Sequence, residues 1–178
     1  MNKLSFITEH VSYDSGYEIS DYTAYFYVVD GKKLEFDNDY RPASKYEILT
    51  DTYVSDSHQH ILLNCCSCGY WECDCCSAEE IIEGNIVKWK LYGTPIKDDK
   101  EYIFDKTEYD KVINEIRNTA LNEMTLAIKI YFENGDSTIF DFDSEKDLKK
   151  MIEIQSQEGF AHVIAYENLK TREYHKVK

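Results

Sequence analysis

The chain has few of the residues that break structure. Two prolines and seven glycines in 178 residues leave no room for linkers or low-complexity tracts. Long hydrophobic runs are also missing, since no stretch approaches the ~20 apolar residues a membrane-spanning helix needs. The opening MNKLSFITEHVSYDSGYE lacks the apolar core and small-residue cleavage site of a secretory signal, so a cytoplasmic protein is expected. Basic charge is scarce: 20 Lys and Arg stand against 34 Asp and Glu, a net charge of −14. That field repels nucleic-acid phosphate and anionic lipid. Nucleic acid and membrane surfaces are therefore excluded as expected partners and a basic protein is favoured, although solubility alone also accounts for an acidic surface. Catalytic signatures are absent too. There is no G-x-S-x-G, P-loop or dinucleotide fingerprint, and no organised set of partners for the serines. No enzyme is expected.

What is present folds. Hydrophobic residues make up 43% and aromatics 14%, well outside the disordered class. Fifteen tyrosines and eight phenylalanines weight the chain toward β structure. Asp21–Asp30 is aromatic and β-branched, and Asp30-Gly31 then turns it into Lys33–Phe36, a hairpin signal. Tyr46–Val54 reads as a weaker extended segment, and Gln59–Asn64 as a short apolar strand. Ala78–Ile82 and Asn85–Tyr92 pair across Glu83-Gly84-Asn85, until Gly93-Thr94-Pro95 breaks the run. Glu101–Asp105 is a strand. Tyr109, Val112, Ile113, Ile116, Ala120 and Leu121 then recur at helical spacing, with Asp105 or Thr107 as cap. Trp89 is expected in the core beside that helix.

The last third repeats this grammar. Leu126–Phe132 and Ser137–Phe142 flank Asn134-Gly135. Ser144 and Asp147 begin a helix that reaches about Gln155 and stops by Gly159. Phe160–Tyr166 and Arg172–Val177 follow as strands. The expected fold class is α+β, a mostly antiparallel β-sheet with two principal amphipathic helices. Residues 1–122 are expected to form a β-rich domain with the cysteine turn and first helix, and 123–178 a smaller hairpin–helix–strand lobe, the alternative being that the two are continuous.

All six cysteines crowd into Asn64-Cys-Cys-Ser-Cys-Gly-Tyr-Trp-Glu-Cys-Asp-Cys-Cys76. Two C-x-C arms, Cys66/Cys68 and Cys73/Cys75, flank Gly69–Glu72. In an extended strand, residues i and i+2 share a face, so each arm presents two sulfurs together, and two arms on a hairpin supply the four donors zinc takes. Ser57-His58-Gln59-His60, just upstream, offers imidazoles at the same spacing. A permanent disulfide conflicts with a reducing compartment. A reactive thiolate conflicts with Glu72, Asp74, Glu79 and Glu80 nearby, since carboxylates raise a thiol's pKa. Two readings stay open: zinc on Cys66, Cys68, Cys73 and Cys75, or small buried apolar thiols. His58 and His60 with Asp51 and Asp56 have a spacing that suits a hydrolytic metal site, but a pair of histidines in a polar loop is the expected reading.

The segment from LLNCCSCGYWECDCC through EEIIEGNIVKWKLYG to YIFDKTEYDKVINEI resembles a family of uncharacterised bacterial proteins. That family shows a strand, a C-x-C-G or C-x2-C-G turn with a further cysteine, a strand pair ending in tryptophan, and a strand feeding an aromatic-started helix. Cys66, Cys68, Gly69, Cys73, Trp89, Phe104 and Tyr109 carry the resemblance, which covers about residues 60–117. Cys65, Cys75 and Cys76 stand outside the pattern. Some such proteins lie beside polymorphic toxin systems, so the resemblance implies an immunity-like role.

Tyr13, Tyr17, Tyr22, Tyr25 and Tyr27 interleave with Asp14, Glu18 and Asp21. Tyrosine supplies contact area and carboxylates supply steering, the combination that grips a basic protein. The same tyrosines also suit a sheet core, and Tyr25 and Tyr27 are expected to share one face. The expected contact set is Tyr13, Tyr17, Asp14, Glu18 and Asp21. The expected function is an acidic binding protein, most concretely an immunity protein that occludes a cationic toxin domain. The alternative is a small zinc-stabilised accessory domain.

Overall fold

The computed structural model describes residues 1–14, 19–34, 41–50, 52–54, 56–64, 76–93, 101–155 and 162–177. The chain divides into two compact units, Met1–Arg117 and Asn118–Lys178. The elements of the first are β1 (Leu4–Asp14), β2 (Ile19–Val29), β3 (Lys32–Lys33), β4 (Arg41–Pro42), α1 (Lys45–Leu49), β5 (Thr52–Val54), β6 (Ser57–Asn64), β7 (Cys76–Glu83), β8 (Ile86–Tyr92), β9 (Glu101–Asp105) and α2 (Lys106–Asn122). The unit boundary falls inside α2. The second unit continues with β10 (Leu126–Phe132), β11 (Ser137–Phe142), α3 (Glu145–Gln155), β12 (Val163–Asn168) and β13 (Tyr174–Lys176). Every described strand pair is antiparallel, and α2 and α3 are the two sizeable helices, so the α+β class holds. No helix among the described residues is long and apolar enough to cross a membrane.

In the first unit, β1-β2-β3 forms one sheet and β4-β6-β7-β8-β9 another, with β5 also paired to β6. The β2–β3 turn is Asp30-Gly31, at φ 52° and 76°. Positive φ at both central residues is the type I′ sign pattern, whose twist suits a two-residue hairpin. The β7–β8 turn is Gly84-Asn85, with Gly84 alone at positive φ, 60°, the pattern of type II′. Backbone hydrogen bonds among the described residues join the sheets. Tyr25 N–H donates to Ala43 O at 2.8 Å, and Asn2 N–H to Ile103 O at 2.6 Å.

The N-terminus carries no local strand signal, yet β1 pairs with β2 through eleven consecutive residues. Its polar residues fall on both faces, so the strand is specified by its partner rather than by alternation. Tyr46–Val54, expected extended, begins as α1. Ser44 caps it by accepting from Tyr46 N–H at 3.3 Å, and Glu47 accepts from Ser44 N–H at 2.7 Å, a capping box. Only Thr52–Val54 is a strand.

Burial alternates on β8, where Val87, Trp89 and Leu91 are buried. Trp89 and the buried Phe104 of β9 meet Tyr109 of α2, with ring centroids 5.9 and 5.7 Å away. Trp89 is fully buried and meets Tyr27 and Phe104 edge-on at 5.0 and 5.4 Å between ring centroids, beside the helix start as expected. Tyr25 and Tyr27 lie two residues apart on β2 and so share one face, as expected, and both are buried. Asp105 is the cap of α2, accepting from Thr107 and Glu108 N–H at 3.0 and 3.1 Å.

In the second unit the sheet order is β11-β10-β12-β13. Gly135 turns β10 into β11 at φ 92°. Ile128, Ile130 and Val163 meet Leu148 of α3 in the core. Ser144 accepts from Asp147 N–H at 3.3 Å at the head of α3. Gly159 and Phe160 lie outside the described residues, and β12 starts at Val163.

Candidate metal centre

His58 and His60 lie on β6, two residues apart and therefore on one face. The β6–β7 register sets Gln59 opposite Glu79 and His60 opposite Ala78, so Glu80 comes up beside both imidazoles. Glu80 Oε2 is 2.9 Å from His60 Nε2, and Oε1 is 3.4 Å from His58 Nδ1. One donor atom from each of the three residues lies within 4.8 Å of the others. This corrects the loop reading of His58 and His60. The strand holds them, and their carboxylate is Glu80, not Asp51 or Asp56. Asp51 lies outside the described residues, and Asp56 sits in a turn at φ 67°.

A second layer fixes the cluster. Tyr109, in the first turn of α2, donates its hydroxyl to Glu80 Oε2, and its oxygen stands 2.7 Å from His60 Nε2. Trp89 Nε1–H donates to that same oxygen at 3.0 Å. The His60 ring packs against Trp89 and Tyr27, with centroids 5.1 and 6.0 Å away. Side-chain exposure falls from 21% at His58 through 14% at Glu80 to 9% at His60, so an ion would reach the cluster from the His58 side. A water-sized cavity bounded by Tyr27, His58, His60 and Arg117 adjoins it.

Burial pushes the His60 imidazole below the ordinary histidine range, against the pull of Glu80. Burial alone would raise the Glu80 carboxyl, but hydrogen bonds from His58, His60 and Tyr109 outweigh it and hold Glu80 well below the usual carboxylate range. Burial, then the Glu80 charge, pushes the Tyr109 phenol well above its ordinary value. Near neutral pH the cluster therefore presents a neutral imidazole at His60 and an ionised carboxylate, the protonation states that metal ligation requires. Arg117 acts the other way: its charge helps to lower the His60 pKa and opposes a cation in the same place.

The other expected site residues fall elsewhere. Cys66, Cys68, Cys73 and Cys75 lie in residues 65–75, outside the described residues. Cys76 opens β7 as a fully buried thiol. Of the expected contact set, Tyr17 and Glu18 lie outside the described residues. Tyr13 and Asp14 end β1, their side chains likewise outside the description, and Asp21 is exposed on β2. His58-x-His60 was legible as a same-face pair. Glu80 was not, because its place depends on a register set across the cysteine segment, with an irregularity between Ile61 and Leu63. No protein-family model, curated protein or solved structure matches this chain.

Proposed function

We propose that the Met1–Arg117 unit binds a divalent transition metal, zinc foremost, through His58 Nδ1, His60 Nε2 and a Glu80 oxygen. The convergence of these three donors carries the reading. Two nitrogens and a carboxylate oxygen suit zinc, which imposes no geometry of its own and bonds such donors at about 2.0–2.2 Å. The cysteine set Cys66, Cys68, Cys73 and Cys75 is the competing location. Elemental analysis of unchelated protein separates the two. The expected result is about one equivalent of zinc in the wild type and in Cys66→Ser/Cys73→Ser, with most of it lost in His58→Ala/Glu80→Gln. Zinc lost in the cysteine variant and retained in the histidine–glutamate variant moves the site to the cysteine segment.

A second reading concerns the partner, and the net charge of −14 favours it. The protein binds a basic protein, and the resemblance to proteins beside toxin systems makes a cationic toxin domain the concrete candidate. Occlusion is the mechanism: an acidic, aromatic face covers the basic surface that the toxin turns to its anionic substrate.

A further inference from the structure

We infer that Tyr109 Oη is the fourth protein donor to that metal, so that the site is closed and the ion fastens α2 to β6 and β7. This rests on the metal reading above. Its ground is position. Tyr109 Oη is 2.7 Å from His60 Nε2 and in short hydrogen-bond contact with Glu80 Oε2. An ion at bonding distance from both of those atoms faces the phenol oxygen as well. In a tetrahedral zinc site neighbouring donors stand about 3.3 Å apart, since each lies about 2.0–2.1 Å from the metal. Tyr109 Oη and Glu80 Oε2 stand 2.7 and 2.9 Å from His60 Nε2 and closer still to each other, and His58 Nδ1 is 3.4 Å from the other carboxylate oxygen, Glu80 Oε1. Protons now bridge the cluster, and an ion in their place asks its closer donors to spread by roughly half an ångström to 1 Å.

The surroundings of Tyr109 fit a ligand role. Its ring is held among Trp89 and Phe104, with centroids 5.9 and 5.7 Å away, so the oxygen has little freedom. Trp89 Nε1–H donates to Tyr109 Oη from outside the cluster, at 3.0 Å. It occupies one lone pair, leaves another for the ion, and supports negative charge on the oxygen. Outer partners of this kind orient a ligand and tune it. When the metal binds, the Tyr109 proton goes to solvent, the oxygen–metal bond forms and the Trp89 bond remains. Four protein donors leave no position for a reactive water, the arrangement of a structural rather than a catalytic zinc site.

Cobalt(II) and copper(II) added to the full chain test this. Wild-type protein is expected to give the intense visible d–d absorption of four-coordinate cobalt. In Tyr109→Phe that absorption should weaken and shift as solvent replaces the oxygen, with cobalt affinity lower by about tenfold or more. Copper-loaded wild-type protein should show a phenolate-to-metal charge-transfer band, which imidazole and carboxylate donors do not give. This needs no variant and decides the matter if Tyr109→Phe fails to fold. Cobalt uptake with the same spectrum and affinity in Tyr109→Phe, or copper uptake without the charge-transfer band, overturns the role of Tyr109 and leaves the three-donor reading standing. No uptake by wild-type protein overturns both.

Discussion

At the scale of single residues, the metal-free protein should respond to acid through His60 and Glu80. Both titrate lower in the folded protein than in the unfolded chain, because burial disfavours the charged imidazole and hydrogen bonds favour the charged carboxylate. Between the two values of each group the unfolded state binds more protons, so stability rises with pH and falls on acidification. The His60 contribution is lost as pH drops below about 6.5, and the Glu80 contribution only below about 4.3, where the unfolded groups begin to protonate. Urea titrations in the presence of a chelator should show a midpoint that is level at pH 7–8 and declines below about 6.5. His60→Gln should remove the first part of that decline. A variant as acid-sensitive as the wild type at pH 5–6 would assign the loss to another group. The same pairing explains why a histidine with little exposure is tolerated here: its ring nitrogen meets Glu80 and Tyr109 rather than being left bare.

Elements were legible where local grammar and tertiary need agreed. β7, β8 and α2 carry apolar spacing, a turn glycine and an acidic cap that all point one way, and they form as read. α1 replaces the first part of the expected extended segment because the Ser44-x-x-Glu47 capping box starts a helix there, at residues whose types also suit a strand. That box gives a test at this scale: Ser44→Ala should cost about 1 kcal/mol in denaturant titration, the usual loss for a helix N-cap. An unchanged midpoint would mean that α1 is held by Ile48 and Leu49 in the core instead. β1 is the opposite case. It lacks a local signal, and the long register with β2 specifies it. The candidate site divides along the same line. The His58-x-His60 spacing is local and visible, whereas Glu80 arrives through strand register and Tyr109 through the packing of a helix some fifty residues downstream.

The whole molecule is dominated by its charge. A surplus of 14 negative charges on 178 residues accelerates encounter with any cationic protein, and salt screens that effect over a Debye length of about 8 Å at physiological ionic strength. The charges expected to meet the partner are Asp14, Glu18 and Asp21, and Asp21 is exposed on β2. An exposed carboxylate such as Asp21 contributes at most about 1 kcal/mol to stability, so neutralising it tests binding with little cost to the fold. Asp14→Asn/Glu18→Gln/Asp21→Asn should keep the wild-type unfolding midpoint. It should also associate with a basic partner isolated from the native host roughly several-fold more slowly at low salt, with a flatter dependence on ionic strength. Zinc occupancy should be unchanged in this variant, because the His58–His60–Glu80 cluster is built from β6 and β7 and shares none of these residues. Stopped-flow association at low and high salt supplies the measurement. A triple variant that associates at the wild-type rate in both conditions removes this face from the interface. A partner that proves acidic removes electrostatic steering altogether, and the proposed metal binding by His58, His60 and Glu80 is then the reading to test.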